Sequence, residues 1–271
     1  MKIDLHNHTK YSDGVDTPLE LFNSAKKNHV DVFALTDHDS VFGCEELLKL
    51  DGQDNVRVIL GMELSTDYKR KSVHIVCLFK DNIIPDEIMQ FSVDMLNKRK
   101  ERAILMMNKI HDIYGLKIDV DKLIKESDII TRANMLRNIA LCNDMTYEQA
   151  SFYVSNKSDA YIPSTKLDTR DGIKFAKRCG CVTILAHPCL LPKEIVNEIV
   201  TFGVEGIEVK YPSNQEGDEK YFRDLAKKHN LFISAGSDCH GDSTHAPIGT
   251  STLDLEEFMP LAERIGFKYG D

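Results

Sequence analysis

Two histidines, His6 and His8, flank Asn7 near the start of the chain. On an extended segment residues i and i+2 point to the same side, so this pair can grip one metal ion while Asn7 turns away. Asp238 and His240 repeat the arrangement around Cys239, whose thiol is expected to face the other way and pack. Further donors stand beside β-rich runs: Asp37-His38-Asp39, Glu63, His74 and His187. An H-x-H pair alone is a frequent chance match. Its weight here comes from the other donors falling at strand ends. Nitrogen and carboxylate donors without thiolates suit Mn²⁺, Fe²⁺ or Zn²⁺. His29, His111, His229 and His245 lie outside the pattern and are read as ordinary polar residues.

Seven short apolar runs would carry these groups: residues 2–6, 31–36, 56–65, 73–79, 181–186, 206–210 and 231–235. Helical stretches separate most of them, and strand alternating with helix implies a parallel α/β sheet. The first helix has a start signal in Thr17-Pro18-Leu19-Glu20, with Thr17 as N-cap, Pro18 in the first turn and Glu20 closing a capping box. In parallel barrels, loops at the C-terminal strand ends converge on one face. That face would gather His6 and His8, Asp37 to Asp39, Glu63, His187, and Asp238 with His240. His74 sits near the start of its run and reaches the same face only if that run pairs antiparallel to the one before. Residues 81–179 are far too many for a loop and contain helical patterns at 86–114, 121–125, 132–142 and 146–154. The expected organisation is a barrel from 1–80 and 180–271 with a helical cap subdomain at 81–179.

The 271 residues can bury a large core, and 42% hydrophobic with 28% charged residues is ordinary globular composition. No apolar run approaches the roughly 20 residues of a membrane helix. Seven scattered cysteines form no C-x-x-C pair and read as reduced packing residues. Without an apolar leader after Met1, a cytoplasmic protein is expected. The net charge of −9 argues against a broad basic surface for duplex DNA.

Read together, Asp4-Leu5-His6-Asn7-His8-Thr9 with Ser12-Asp13-Gly14, Leu35-Thr36-Asp37-His38-Asp39, Gly61-Met62-Glu63, Val73-His74-Ile75, Ala186-His187-Pro188 and Ser237-Asp238-Cys239-His240-Gly241 resemble the PHP (polymerase and histidinol phosphatase) family of metal-dependent phosphoesterases. The resemblance runs from residue 2 to about residue 250. It implies a distorted seven-stranded TIM-like (β/α)7 barrel binding two or three divalent cations. Carried over by motif, one cation would take His6, His8, Glu63 and Asp238; a second Asp13, His38 and His240; a third His74 and His187, sharing Glu63. Within the family the chain is most similar to stand-alone nucleotide phosphoesterases of the TrpH/YciV type. These hydrolyse the 3′-phosphate of nucleoside 3′,5′-bisphosphates or degrade short RNA from the 5′ end. Thr131-Arg132-Ala133-Asn134 and Glu208-Val209-Lys210-Tyr211-Pro212-Ser213 add to the likeness, whereas Asp242-Ser243-Thr244-His245 departs from it.

The chemistry implied is phosphate-ester hydrolysis. A water bridging two cations is acidified, and its hydroxide attacks phosphorus in line with the leaving oxygen. Glu63, Asp13 and His38 are the expected catalytic ligands. Arg132 is the first choice for a phosphate contact, because guanidinium grips phosphate bidentately; Asn134 and Ser213 are further substrate candidates. Lys166, Arg170 and Lys210 could add positive potential, and Asp4, Asp37 and Asp39 could orient the ligand histidines. The expected partner is a small phosphorylated molecule, a nucleotide or short RNA, with no membrane or obligate protein partner implied. The rival readings are a histidinol-phosphate phosphatase and a catalytically silent metal-binding PHP module. An amidohydrolase would need a bridging lysine that the sequence does not offer.

Overall fold

The computed structural model of the chain describes residues 1–126, 130, 132–163 and 166–268. Its strands are β1 (Ile3–Asp4), β2 (Val32–Leu35), β3 (Arg57–Tyr68), β4 (Lys71–Leu78), β5 (Leu167–Asp168), β6 (Val182–Leu185), β7 (Gly206–Lys210) and β8 (Phe232–Ala235). The helices are α1 (Pro18–Lys27), α2 (Cys44–Leu48), α3 (Asp86–Tyr114), α4 (Val120–Glu126), α5 (Arg132–Cys142), α6 (Tyr147–Val154), α7 (Thr169–Arg178), α8 (Lys193–Ile199), α9 (Asp218–His229) and α10 (Leu255–Ile265). None is long and apolar enough to cross a membrane. The Thr17 box forms as the sequence predicts, with Thr17 Oγ1 accepting from Glu20 N at 3.2 Å.

The chain divides into two compact units, residues 1–92 with 166–271 and residues 93–165. In the first, the strand order is β1-β2-β3-β4-β6-β7-β8, a mixed α/β barrel of seven strands that is nearly closed. Closure comes where the chain beyond β1 meets the chain beyond β8: Leu5 N donates to Ala235 O at 2.9 Å, Asp238 N to His6 O at 2.9 Å and His8 N to Cys239 O at 2.8 Å. All neighbours on this path are parallel except β4, which runs against both β3 and β6. The reversal is made by Lys69 and Arg70, both at positive φ, as a two-residue hairpin turn requires. It sets His74 opposite Ser65, which puts His74 on the face that its position in the sequence left in question.

Side-chain alternation sorts the strands into two apolar layers. Ile3, Leu5, Val32, Ala34, Ile59, Val76, Val182 and Ile184 form one cluster together with Phe258, Leu261, Ala262 and Ile265 of α10. Phe33, Leu35, Val58, Leu60, Met62, Ile75, Leu185 and Ile207 pack in the other, against α1, α2, α7, α8 and α9. Ile59 lies on the face of the first cluster, so Glu63, four residues on along β3, shares that face and brings a carboxylate to it.

The boundaries of the helical unit differ from 81–179. Residues 81–92 and 166–179 pack with the barrel: Ile88 joins its outer apolar layer, β5 pairs with β3, and Thr66 and Thr169 share a hydrogen bond of 2.8 Å. A Cβ on Gly172 would sit 2.7 Å from Thr66 Cγ2, so α7 lies directly on β3 because glycine faces it. The unit at 93–165 has its own core around Met106, Met107, Ile110, Ile139 and Ala150. Asn138 ties it by bonding both the N–H and the carbonyl of Asp119.

Candidate metal centre

The loops that leave the strands are held by buried carboxylates. Asp37 accepts from Thr9 N at 2.7 Å, Thr9 Oγ1 at 2.6 Å and Ser12 Oγ at 2.6 Å, which fixes the turn between His8 and Asp13. Asp4 accepts from Ser237 N, Ser237 Oγ and Gly249 N, tying down the segment that carries Asp238 and His240. Asp39 accepts from Ser65 N at 2.8 Å. The hydrogen bonds that Asp4 and Asp37 accept go to the loops bearing the histidines rather than to the rings, and Asp39 holds the backbone of β3. Burial pushes the Asp4 and Asp37 carboxyls up to about 6, against the pull of these donated hydrogen bonds. Asp39, His187 and Asp238 all take positive φ, a conformation costly for residues with a Cβ and concentrated at functional sites.

Five imidazoles form a closed circuit. Ring centroids are 5.1 Å apart for His6 and His8, 4.7 Å for His8 and His38, 4.8 Å for His38 and His74, 5.1 Å for His74 and His187, and 5.8 Å for His187 and His6. Glu63 contacts every member. Its Oε1 lies 3.2 Å from His6 Nε2, 3.2 Å from His74 Nδ1 and 3.0 Å from His187 Nε2; its Oε2 lies 2.8 Å from His38 Nδ1 and 3.4 Å from His8 Nε2. Asp238 Oδ1 is 2.9 Å from His8 Nε2 and 3.6 Å from His6 Nε2. On the other side of His8, Asp13 approaches His240 Nε2 at 3.2 Å and His38 Nε2 at 3.5 Å. All nine residues that the family resemblance names as ligands therefore meet in one cluster. Among the described residues, three overlapping groups have donor atoms close enough to share an ion: His6, His8 and Asp238; His8, Asp13, His38 and His240; His38, Glu63 and His74.

The cluster passes a test of fit for divalent cations. His6 Nε2, His8 Nε2, His38 Nδ1, His74 Nδ1 and Glu63 Oε2 are buried and make no hydrogen bond, although they face one another at close range. Buried polar atoms are normally paired. Their convergence without hydrogen-bond alignment fits donors set to share a cation. Burial holds His8 down to about 4, the neutral form that donates a lone pair to metal. Burial opposes the charge on Glu63, yet His38, His6 and His74 together keep its carboxyl well below the usual range. Asp13 and Asp238 are likewise held low by neighbouring histidines despite burial.

Further polar contacts reach the cluster from outside. Glu208 on β7 is buried, with Oε1 3.3 Å from His6 Nδ1 and Oε2 accepting from His187 N at 2.6 Å. Tyr211 donates to Asp238 Oδ2 at 2.8 Å. Ser72 Oγ bridges His74 Nε2 at 2.9 Å and Lys166 Nζ at 2.6 Å. Sequence reasoning gave Glu208 no role in the site; an acidic residue in the otherwise apolar run Gly206-Ile207-Glu208-Val209 was its signal. His245, outside the sequence pattern of donors, stacks its ring on His240 at 3.9 Å. Asn7 turns away, as its spacing predicts, to bond Asp4 Oδ1 and Ala34 O. Cys239 is buried in the outer apolar layer.

Arg132 is exposed on α5, its guanidinium 5.8 Å from the Tyr161 ring. Asn134 lies two residues on, and Thr131 falls outside the described residues. Ser213 is exposed in the turn after β7. Lys210 is engaged by Glu257 and Thr252 O, and Arg170 lies over Phe202 at 4.1 Å.

Residues 4–134 match the sequence model of the PHP domain. Among curated proteins, a 5′-3′ exoribonuclease of Haemophilus influenzae is 25% identical over 97% of this chain and 98% of its own length. A phosphoribosyl 1,2-cyclic phosphate 1,2-diphosphodiesterase of Eggerthella lenta is 26% identical over 90% of this chain and 96% of its own. A 3′,5′-nucleoside bisphosphate phosphatase of Chromobacterium violaceum is 27% identical over 97% of this chain and 94% of its own. Among solved structures, a protein of Bifidobacterium adolescentis assigned as a metal-dependent phosphoesterase superposes with a TM-score of 0.81 at 25% identity, covering 97% of this chain and 96% of that one.

Proposed function

The chain is a PHP-domain protein, and from that premise we propose that it hydrolyses phosphate esters of nucleotides with the help of two or three divalent cations. Its substrates in this reading are nucleoside 3′,5′-bisphosphates, losing the 3′-phosphate, and short RNA attacked from the 5′ end, in the cytoplasm. The observation that carries the reading is the convergence of buried, unpaired histidine nitrogens and carboxylate oxygens on Glu63. The donor set suits Mn²⁺, Fe²⁺ or Zn²⁺. His6, His8, Asp238 and Glu63 would hold one cation, Asp13, His38 and His240 a second, and His74, His187 and Glu63 a third. When bound, such cations supply Lewis-acid polarisation of the phosphate and acidify an attacking water.

The chain's own residues do the remaining work. Glu63 would contribute to more than one of these cation sites, and its negative charge would offset the repulsion between the ions. Asp37 and Asp4 hold the ligand loops in place, so that the negative charge developing on phosphorus meets a fixed environment. Arg132, Asn134 and Ser213 are the proposed contacts for the rest of the substrate, Arg132 through a bidentate grip on a second phosphate.

The testing experiment follows phosphate release by Mn²⁺-loaded protein from adenosine 3′,5′-bisphosphate and from histidinol phosphate, with Glu63→Gln as background. Phosphoribosyl 1,2-cyclic phosphate is a third arm, because the relative from Eggerthella lenta bears that substrate in its name. Release from the bisphosphate alone supports the reading. Turnover of histidinol phosphate alone, of the cyclic ester alone, or of none with metal bound would overturn it.

A further inference from the structure

We propose that Glu208 is a positioning residue which sets the ring of His6 and the backbone of His187 for metal binding; the inference rests on the metal-centre reading above. A buried carboxylate must find partners, and each oxygen of Glu208 finds one on a different segment: Oε1 faces His6 Nδ1 beyond β1, and Oε2 accepts the His187 N–H beyond β6. Space for this is made by the residue just beyond β8. A Cβ on Gly236 would fall 2.1 Å from His6 Cβ and 2.6 Å from Glu208 Oε1, so only glycine lets the two approach.

The two contacts have different consequences. A carboxylate only accepts, so the hydrogen of His6 is drawn to Nδ1 and the lone pair of Nε2 is left facing Glu63, His8 and Asp238. His187 takes φ 28° and ψ 56°, a strained conformation for a residue with a Cβ. Its N–H bond to Glu208 offsets that strain and turns its Nε2 to Glu63 at 3.0 Å. Glutamine is nearly isosteric but offers one acceptor and one donor. If its oxygen stays on the His187 N–H, its amide hydrogens face His6 Nδ1 and favour the tautomer with hydrogen on Nε2. If it turns the other way, two donors oppose each other at His187.

The test measures Zn²⁺ and Mn²⁺ affinity of metal-stripped wild type and Glu208→Gln by competition with a chelating dye, with ¹⁵N NMR of the histidine rings. Wild type loaded with Zn²⁺ is expected to show His6 protonated at Nδ1 and ligated through Nε2. Glu208→Gln is expected to bind about 10 to 100-fold more weakly, with a shifted or mixed His6 tautomer and unchanged circular dichroism. Unchanged affinity and tautomer in the variant would overturn the proposal and leave the metal centre standing. Should the variant not fold, wild type decides alone: His6 ligated through Nδ1 overturns the proposal. A wild type that binds neither ion would overturn the metal centre and the proposal together.

Discussion

At the N-terminal ends of its strands the barrel is plugged by α10, whose Phe258, Leu261 and Ile265 pack with Ile3, Val32 and Val182. The charges there are neutralised in pairs: Arg264 with Glu205, and Arg57 with Asp51, while Arg57 also lies over Phe267 at 5.2 Å. At the opposite end, the same interior carries Glu63 among six histidines, with nitrogen and oxygen atoms buried and unpaired. One end buries mainly apolar contact, with Glu205 Oε2 as an isolated polar atom left without a hydrogen bond, and lowers the energy of the fold. The other buries polar atoms without hydrogen bonds, which is unfavourable until a cation joins them. Stability and function are thus segregated along the barrel axis, as is general for this architecture.

The sharpest way to break this contrast is substitution at each end. Glu63→Gln should lower phosphate release by more than about a hundredfold, since it would remove the proposed inner ligand and even outer supports cost that order, while circular dichroism and thermal melting of the metal-free protein stay near wild type. Phe258→Ala should do the reverse, losing about 3 to 5 kcal/mol in urea unfolding with cation stoichiometry per folded chain unchanged. Chelation separates the ends again: adding Mn²⁺ to stripped protein at a hundred times its Kd should raise stability by about 2.7 kcal/mol for each independent site filled, read by calorimetry, and by the same amount in Phe258→Ala. Within the functional end, Asp37→Asn keeps the shape but weakens acceptance from Thr9 and Ser12, and should cost about tenfold in metal affinity by dye competition. The smallest effect belongs to the outer helical layer. Thr17→Ala should cost about 1 kcal/mol of stability through the lost cap, with kcat/KM unchanged.

Much of this division could be read from residue order. All seven runs became strands because their apolar residues alternate or run continuously between turn signals; most of the candidate ligands lie just beyond a strand, while Glu63 lies within β3 and His74 within β4. Glu208 escaped because a single acidic residue in a buried strand declares its partner only when β1, β6, β7 and β8 are in place. The boundaries of the helical unit escaped for a related reason. That α7 lies on β3 depends on Gly172 meeting Thr66, a contact between residues more than a hundred positions apart. The plug was equally hidden, since the amphipathic pattern of α10 says that one face is buried without saying against what.

A shared metal centre around Glu63 would bind a fixed number of divalent cations per chain. The most direct test counts divalent cations per chain, by elemental analysis after equilibrium dialysis, in wild type, Glu63→Gln and Phe258→Ala. Two or three ions in wild type, at least one fewer in Glu63→Gln and no loss in Phe258→Ala are predicted. An equal count in wild type and Glu63→Gln, or none in wild type, would contradict the account.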